Sequence, residues 1–355
     1  MITIGVDCHK ENHTLVAVDA VGRPIAQLAI PNRPSEYPKV CTWAAALDQQ
    51  RLWGIENSGS FGYALAQYLL NHQEPVYEVS PHLTGRKRRT SLDAQKSDPA
   101  DARAIARIVL QEETKLPKLH PQDLSSVLKV AVEHRDNLIG QRTQLLNQLH
   151  MHLTHIEPGY QERLGSLQQP AALQACVDYP MPSEDPVAQM RIPIIQQIAH
   201  LILSLTDMIQ HIETDHIQPM VQKTHTPLLS IQGIGLIAAA KLMAYADPIH
   251  TIKSAATLAR YSGIAPIERS SGPTLRHRVD GQGNRQLQAV FYMIALTQKR
   301  CNPLAQAYLA KKRREGKTNK EAMRCLMRRL VDIIYAVWKH NQPYRPPVQQ
   351  ENAGL

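Results

Sequence analysis

Four carboxylates, Asp7, Glu56, Asp98 and Asp101, carry the strongest chemical signal in the chain. Asp98 and Asp101 lie three apart in Lys96-Ser97-Asp98-Pro99-Ala100-Asp101-Ala102, so a helix starting there presents both on one face. Asp7 closes the alternating segment Ile2-Thr3-Ile4-Gly5-Val6, and Glu56 closes Leu52-Trp53-Gly54-Ile55. Carboxylate oxygens are hard ligands, and a converging set of them suits Mg2+. Two such ions about 3.5–4 Å apart would activate an attacking group on a phosphodiester and stabilise the leaving oxygen. Each acid also has a plain reading. Asp7 can form a strand-end turn, and Glu56 can be a loop acid before Asn57-Ser58-Gly59. Asp98 can cap its helix, with Asp101 completing the capping arrangement. The order of the four along the chain favours the metal reading. A second candidate is Ser271 in Ser270-Ser271-Gly272, since a glycine-flanked serine can serve as a nucleophile; an ordinary turn is the alternative.

The elements that would position these groups follow from periodicity. Alternation over 2–6 and β-rich runs over 14–19, 25–30, 52–56 and 76–79 predict strands. Apolar stripes predict helices over 35–47 and 61–70, and a third starting at Asp98, with Pro99 at its first helical position. Three strands, then helix, strand, helix, strand, helix is the connectivity of an α/β RNase H-like (RuvC-like) fold. Its strand ends would bring Asp7 and Glu56 to the edge where Asp98 and Asp101 begin their helix.

Beyond residue 118 the pattern turns helical. Residues 122–156 contain no Pro and one Gly, which predicts a helix of roughly 50 Å. Six prolines break 157–193. Ile195, Ile198, Ile202, Leu205, Ile209 and Ile212 then form a heptad seam, either an intramolecular hairpin with the preceding helix or a dimer contact. Gly233 and Gly235 punctuate a turn entering an alanine-rich helix. This resembles a helix–hairpin–helix, whose amides grip backbone phosphate; tight helical turns use the same spacing. The expected division is 1–118, an acidic α/β domain; 119–220, a helical coiled-coil linker; 221–342, a mainly α serine-bearing domain; and 343–355, a Pro-rich disordered tail.

The chain has 355 residues, 43% hydrophobic and 20% charged, as in ordinary globular proteins. With two Phe and three Trp it offers no evident aromatic platform for single strands. The net charge of +9 is concentrated in 299–329, where eleven Lys/Arg face two Asp/Glu. Such a block favours a polyanion partner, with a solvated helical face as the alternative. Candidate nucleic-acid contacts are Arg86, Lys87, Arg88 and Arg89 beside the acidic edge, the amides of Gly233 and Gly235, and Arg276, Arg278, Asn284 and Arg285. Lys311, Lys312, Arg313 and Arg314 complete the set. Five scattered Cys without a CxxC pair exclude a zinc ribbon and a disulfide framework, which fits a cytoplasmic setting at the bacterial nucleoid. No apolar run reaches 18 residues, so no membrane span is expected. No Walker-type motif occurs, so ATP is not called for.

Together these blocks resemble the insertion-sequence-110 family of transposases. Gly5-Val6-Asp7-Cys8-His9-Lys10, Ile55-Glu56-Asn57-Ser58-Gly59 and the Lys96 to Ala102 stretch resemble its DEDD blocks. Ile231-Gln232-Gly233-Ile234-Gly235, Tyr261-Ser262-Gly263-Ile264-Ala265-Pro266 and Ser270-Ser271-Gly272 resemble its second domain. The resemblance implies recombination of double-stranded donor and target DNA through a covalent serine–DNA link. It implies Mg2+ held by Asp7, Glu56, Asp98 and Asp101, with Ser271 as nucleophile and Ser270 as fallback. It also implies a structured guide RNA bridging donor and target, and a homo-oligomer, dimer or tetramer, in which the acids of one subunit complete the serine site of another. One departure stands out. The family's basic Lys/Arg-x-Gly-Asn-Arg-x-Leu-Arg run is here Asp280-Gly281-Gln282-Gly283-Asn284-Arg285-Gln286-Leu287-Gln288, which loses charge at both ends. The alternatives are a site-specific DNA invertase, a metal-dependent junction nuclease using the carboxylates alone, and a non-catalytic nucleic-acid-binding protein.

Overall fold

The computed structural model describes residues 1–81, 83–84, 97–180, 185–246, 248–271, 274–279 and 283–346, with 267–271 and 274–279 as backbone alone. The chain forms two compact units, Met1–Gln122 and Asp123–Leu355.

In the first unit the expected strands become β1 (Ile2–Cys8), β2 (Asn12–Val18), β3 (Pro24–Pro31), β4 (Arg51–Ile55) and β5 (Val76–Glu78). They form one mixed sheet in the order β3-β2-β1-β4-β5. β1, β2 and β3 pair antiparallel, while β4 runs parallel to both β1 and β5. The order of elements along the chain, three strands, helix, strand, helix, strand, helix, is the one expected from the sequence. β1 is central and buried at every position, as a strand covered on both faces must be.

Alternation along β1 decides what each face receives. Ile2, Ile4, Val6 and Cys8 enter a core with Val40 and Ala44 of α1 (Tyr37–Leu47) and Leu65 and Leu69 of α2 (Tyr63–Asn71). The odd positions Thr3, Gly5 and Asp7 belong to the opposite face. There Val16 and Val18 of β2 pack with Ala102 and Ala106 of α3 (Asp98–Glu112). The same helix buries Ile105, Ile108 and Val109 against Tyr77 and Val79. That i, i+3, i+4 stripe holds α3 on the sheet, each fully buried Ile contributing about 1.5–3 kcal/mol.

The second unit is mostly helical. α4 (Leu124–Ile156) is one continuous helix, capped by Asp123, whose carboxylate accepts from the Ser126 amide at 3.0 Å. α5 (Pro170–Val177) and α6 (Pro186–His211) follow. The expected break through residue 193 is shorter than its prolines suggested. Asp185 caps α6 with Pro186 in its first turn, and Pro193 sits inside the helix, at the cost of one backbone hydrogen bond. Ile192, Ile195, Ile198 and Ile202 of α6 share a core with Leu149 and Leu153 of α4, so this part of the isoleucine seam is buried within the chain. Leu205 and Ile212 are half-buried. Among the described residues one helical stretch, Pro186–Lys223, is long and apolar enough to cross a membrane; its isoleucines line this bundle core.

A second core joins Leu128 and Val132 of α4 to α7 (Leu236–Ala246), α8 (Ala255–Tyr261), α9 (Arg285–Cys301), α10 (Pro303–Arg314) and α11 (Asn319–Lys339). Between α8 and α9 lies a two-stranded antiparallel sheet of β6 (Pro266–Ser271) and β7 (Thr274–Val279). Of the expected disordered tail, residues 347–355 lie outside the described residues. Tyr344 is tied back, its amide donating to Ser230 Oγ at 2.7 Å.

Candidate active site

The sheet register brings the acids together. Val6 of β1 is level with Ile55 of β4, and the Glu56 amide donates to the Val6 carbonyl at 3.3 Å. Asp7 and Glu56 are therefore neighbouring next positions at one end of the two central strands. Asp7 shares a face with Gly5, and Glu56 shares one with Gly54, which is level with Gly5. That is the face α3 covers. Two glycines let the helix come close: a Cβ on Gly5 would lie 2.0 Å from the Ala102 carbonyl oxygen, and one on Gly54 2.5 Å from Val109 Cγ2. The first turn of α3, with Asp98 and Asp101, is thereby set over the end of β1.

Asp7, Glu56 and Asp101 are buried, with relative exposures of 5%, 8% and 9%, whereas Asp98 is exposed. Burial pushes the Asp7 carboxyl above its ordinary range; nearby Asp101 and Asp98 push the same way, and His9 opposes them. Carboxylates are seldom buried in such company without a compensating positive charge. Glu56 accepts from Thr84 Oγ1 at 3.3 Å. The Cys8 thiol, buried beside Asp7 and Glu56, is pushed well up and stays protonated.

His9 was not singled out by sequence. Its Nε2 lies 3.2 Å from Asp7 Oδ2 and 3.7 Å from Asp98 Oδ1. Asp7, His9 and Asp98 present donor atoms all within 4.8 Å of one another. The one sequence signal was its position two residues beyond Asp7. The donor chemistry fits a divalent cation: hard oxygens, like charges in need of a counter-ion, and one imidazole.

The capping expectation changes by one residue. Ser97 is the N-cap, in extended conformation and without a side-chain cap bond, so Asp98 is the first helical residue and Pro99 the second. Asp98 does not cap α3. Both acids lie in its first turn, where the helix dipole favours negative charge.

Ser270 and Ser271 end β6, level with Leu275 and Thr274 of β7. A strand pair here departs from the mainly α domain expected of the sequence. Gly272-Pro273 is the turn-forming pair that signals a hairpin; both residues lie outside the described residues. The hairpin carries Ser271 at its far end, roughly 17 Å from its base at Pro266 at about 3.4 Å per residue. Arg276 and Arg278 lie on β7, level with Arg269 and Ile267. The base is held by close backbone contact and by Gln288, whose Nε2 donates to the Gly263 carbonyl at 3.0 Å. A Cβ on Gly283 would lie 2.2 Å from the Gly263 amide nitrogen, and the Asn284 amide donates to the Tyr261 carbonyl at 2.7 Å. Asn284 also caps α9 through the Leu287 amide, 3.1 Å away, and Arg285 begins that helix.

The remaining expected contacts are dispersed. Arg86, Lys87, Arg88 and Arg89 lie outside the described residues. Lys311, Lys312, Arg313 and Arg314 form the last turn of α10, where cations complement the helix dipole. Lys312 pairs with Glu315 at 2.7 Å. Gly233 adopts φ +87 in the turn before α7, conformationally suited to glycine. The Gln232 carbonyl there accepts from Gln298 Nε2 at 2.7 Å.

Comparison with known proteins gives the following matches. An IS110 DEDD model described as "Transposase" matches residues 4–158, and a model described as "Transposase IS116/IS110/IS902 family" matches residues 225–310. The IS116 uncharacterized 44.8 kDa protein of Streptomyces clavuligerus is 26% identical, covering 98% of this chain and 98% of the relative. The pilin gene-inverting protein of Moraxella lacunata is 25% identical, covering 82% of this chain and 80% of the relative. Among solved structures, T. thermophilus RuvC in complex with Holliday junction substrate aligns with a TM-score of 0.28 and 16% identity, over 34% of this chain and 99% of that one.

Proposed function

The chain belongs to the IS110 family of transposases, a family of DNA-cleaving and -rejoining enzymes, and from that premise we propose that it is the recombinase of a mobile element, working through a covalent serine–DNA intermediate. The observation that carries this reading is the acidic edge: α3 packs close on β1 and β4 with Asp98 and Asp101 in its first turn, Asp7 and Glu56 are at the neighbouring strand ends, and Asp7, His9 and Asp98 have donor atoms within 4.8 Å of one another.

Ser271 supplies the nucleophile, with Ser270 as the fallback. Its Oγ attacks a backbone phosphorus and loses its proton. The P–O bond to one deoxyribose oxygen breaks, and that oxygen leaves as a hydroxyl after taking up a proton. The phosphoserine diester keeps the energy of the broken bond, so a hydroxyl of another strand can reverse the step without ATP. Asp7, Glu56, Asp98 and Asp101 would hold Mg2+, which would supply Lewis-acid stabilisation of the phosphate oxygens. Burial of Asp7, Glu56 and Asp101 excludes water from that edge, and His9 orients Asp7 and Asp98 toward each other.

The finer reading completes the picture. Met1–Gln122 acts as the RuvC-like domain, and the α4–α6 seam as a coiled-coil linker. The segment around Gly233 and Gly235 acts as a helix–hairpin–helix grip on phosphate. Arg86–Arg89, Arg276, Arg278, Asn284, Arg285 and Lys311–Arg314 contact nucleic acid. Donor and target DNA are joined under a structured guide RNA by a homo-oligomer in the cytoplasm, in which the acids of one subunit serve the serine of another.

The test is to trap the protein–DNA adduct with RNA, DNA and Mg2+ all present, and to map it by mass spectrometry. The expected adduct is on Ser271, or on Ser270. Undiminished strand cleavage by Ser271→Ala together with Ser270→Ala would sink the serine mechanism and leave a carboxylate-only nuclease. The similarity to a pilin gene-inverting protein supports a second reading, site-specific DNA inversion by the same chemistry. Recombination assays on inverted and on separate sites distinguish the two.

A further inference from the structure

A cavity of about 400 Å³ opens at the root of the serine hairpin, where α8, β6, α9, α10 and α11 meet. Its lining includes apolar Ile264, Ala265 and buried Met327, together with Tyr308. Its rim is cationic. Lys317, Arg324 and Arg329 line it and form no close ion pair among the described residues, although Lys317 and Arg324 lie near enough to Glu321 to reinforce the Thr318 amide in lowering its pKa. The two acids in the lining are already engaged. Glu321 accepts from the Thr318 amide at 2.8 Å as the return half of a capping box. Asp332 pairs with Arg328 at 2.5 Å. Lys312 Nζ lies 5.6 Å from the Tyr308 ring centroid, so one more positive charge borders the aromatic ring.

An apolar lining, one aromatic ring and a rim of cations without a close ion pair suit a ligand with a flat apolar part and an anionic part. A bare phosphate would use the rim and leave the apolar lining wet. An aliphatic ligand would leave the cations without partners. A nucleotide uses both, its base against Tyr308 and its phosphate on the rim, and the volume lies in the range of small-ligand sites. A base inside an intact duplex cannot reach such a lining, so the nucleotide must be unpaired. Pro266 lines the cavity and begins β6, and Ser271 ends the same strand. The cavity is thus joined through the backbone of one strand to the serine.

We propose that this groove binds one unpaired nucleotide of a polynucleotide strand, with Tyr308 stacking on the base and Lys317, Arg324 and Arg329 holding the phosphate. It rests on the reading of the chain as a nucleic-acid recombinase. The source is a DNA strand opened during exchange or an unpaired residue of the guide RNA; the chemistry of the groove is the same for both.

The test uses the full chain and short oligonucleotides carrying a fluorescent base analogue at an unpaired position, in DNA and RNA versions, with a fully paired DNA duplex as comparison. Wild type is expected to bind the unpaired probe and quench its fluorescence. Tyr308→Ala should weaken that binding by about tenfold, in line with the loss of one base–aromatic stack. Tyr308→Phe, which keeps the ring, should bind as wild type. Lys317→Glu, at an exposed position that leaves the fold undisturbed, should weaken the unpaired probe more than the duplex. Tighter binding of the DNA probe assigns the nucleotide to a DNA strand, and of the RNA probe to the guide. The proposal is overturned if Tyr308→Ala binds the probe as wild type does. It is overturned equally if Tyr308→Ala and Lys317→Glu lose duplex and unpaired probe in the same proportion, or if a poly-glutamate peptide competes as well as the oligonucleotide. A protein that binds duplex but shows no quenching fails this inference alone, whereas one that binds no nucleic acid fails the recombinase reading as well.

Discussion

Gly5 and Ala102 touch backbone to backbone: a methyl group on Gly5 would sit 2.0 Å from the Ala102 carbonyl oxygen and 2.4 Å from the Ala106 amide nitrogen. No side-chain rotation relieves such a contact, because both neighbours are main chain. Gly5→Ala must lift α3 off β1, and with it Asp98 and Asp101. Overpacking of this kind costs about 1–3 kcal/mol, and more where nothing can yield. The expected outcome is a lower denaturant midpoint together with loss of strand cleavage. A Gly5→Ala protein of wild-type stability and activity would show that the close approach does not set the acidic site.

Asp7→Asn separates chemistry from folding. The Asp7 carboxyl is pushed up by burial first, and further by Asp101 and Asp98. Replacing it with a neutral amide of the same size relieves that crowding. In the absence of divalent ions the variant should be at least as stable to heat as wild type. It should still bind DNA and cleave it at least about 10²-fold more slowly, since several kcal/mol of charge stabilisation would be lost. Calorimetric titration with Mg2+ should show weakened binding in the same protein. Full recombination by Asp7→Asn would favour a non-catalytic nucleic-acid-binding role.

What was legible in the sequence divides along physical lines. Alternation from Ile2 to Val6 marked a strand ending at Asp7, and the apolar run from Leu52 to Ile55 marked one ending at Glu56, because an acid closing an apolar strand stands out. The apolar stripe of α3 was equally clear. His9 was not, since its relation to Asp98 crosses ninety residues of chain and leaves no local pattern. The β6–β7 hairpin escaped because its strands mix charged and polar residues, as in Glu268-Arg269-Ser270-Ser271, and so carry no apolar alternation in sequence. Pro193 misled in the other direction. A single proline weakens a helix, but apolar packing of Ile192, Ile195 and Ile198 outweighs the lost hydrogen bond.

Acid should loosen the α4–α6 bundle through Glu157. Its carboxylate accepts from Arg163 Nε at 2.8 Å and from the Tyr179 hydroxyl at 2.5 Å, and these bonds hold it down at about 2, against 4.5 in the unfolded chain. A carboxyl lowered in the folded state adds stability above pH 4.5, and that stability is lost as pH falls from 4.5 toward about 2. Arg163 is 48% exposed, so solvent screens the pair and the effect is modest. Glu157→Gln should flatten the acid limb of the stability curve over this window and lower the plateau above pH 4.5 by the same modest amount. Hydrogen exchange in Pro170–Val177 reads the bundle directly. An acid limb identical in the variant would remove Glu157 from the account.

The hairpin that carries the serine depends on a contact as close as that at Gly5. A Cβ on Gly283 would meet the Gly263 amide nitrogen at 2.2 Å and its Cα at 2.3 Å. Gly263 itself has φ +65, a conformation that favours glycine. Gly283→Ala must part the two strands of chain that enter and leave the hairpin, breaking the 2.7 Å bond from the Asn284 amide to the Tyr261 carbonyl. The helical core below draws on Leu258, Leu287, Phe291 and Ile294. The variant should therefore keep its helical content and unfold cooperatively, while trapping of the serine–DNA adduct falls by at least about tenfold, since displacing a reacting group by an ångström costs on this order or more. Asn284→Ala is the milder companion: it removes the cap on α9, worth about 1 kcal/mol, and keeps the glycine contact, so its loss of adduct should be smaller. Equal adduct yield from Gly283→Ala and wild type would show that the position of Ser271 is set elsewhere in the chain.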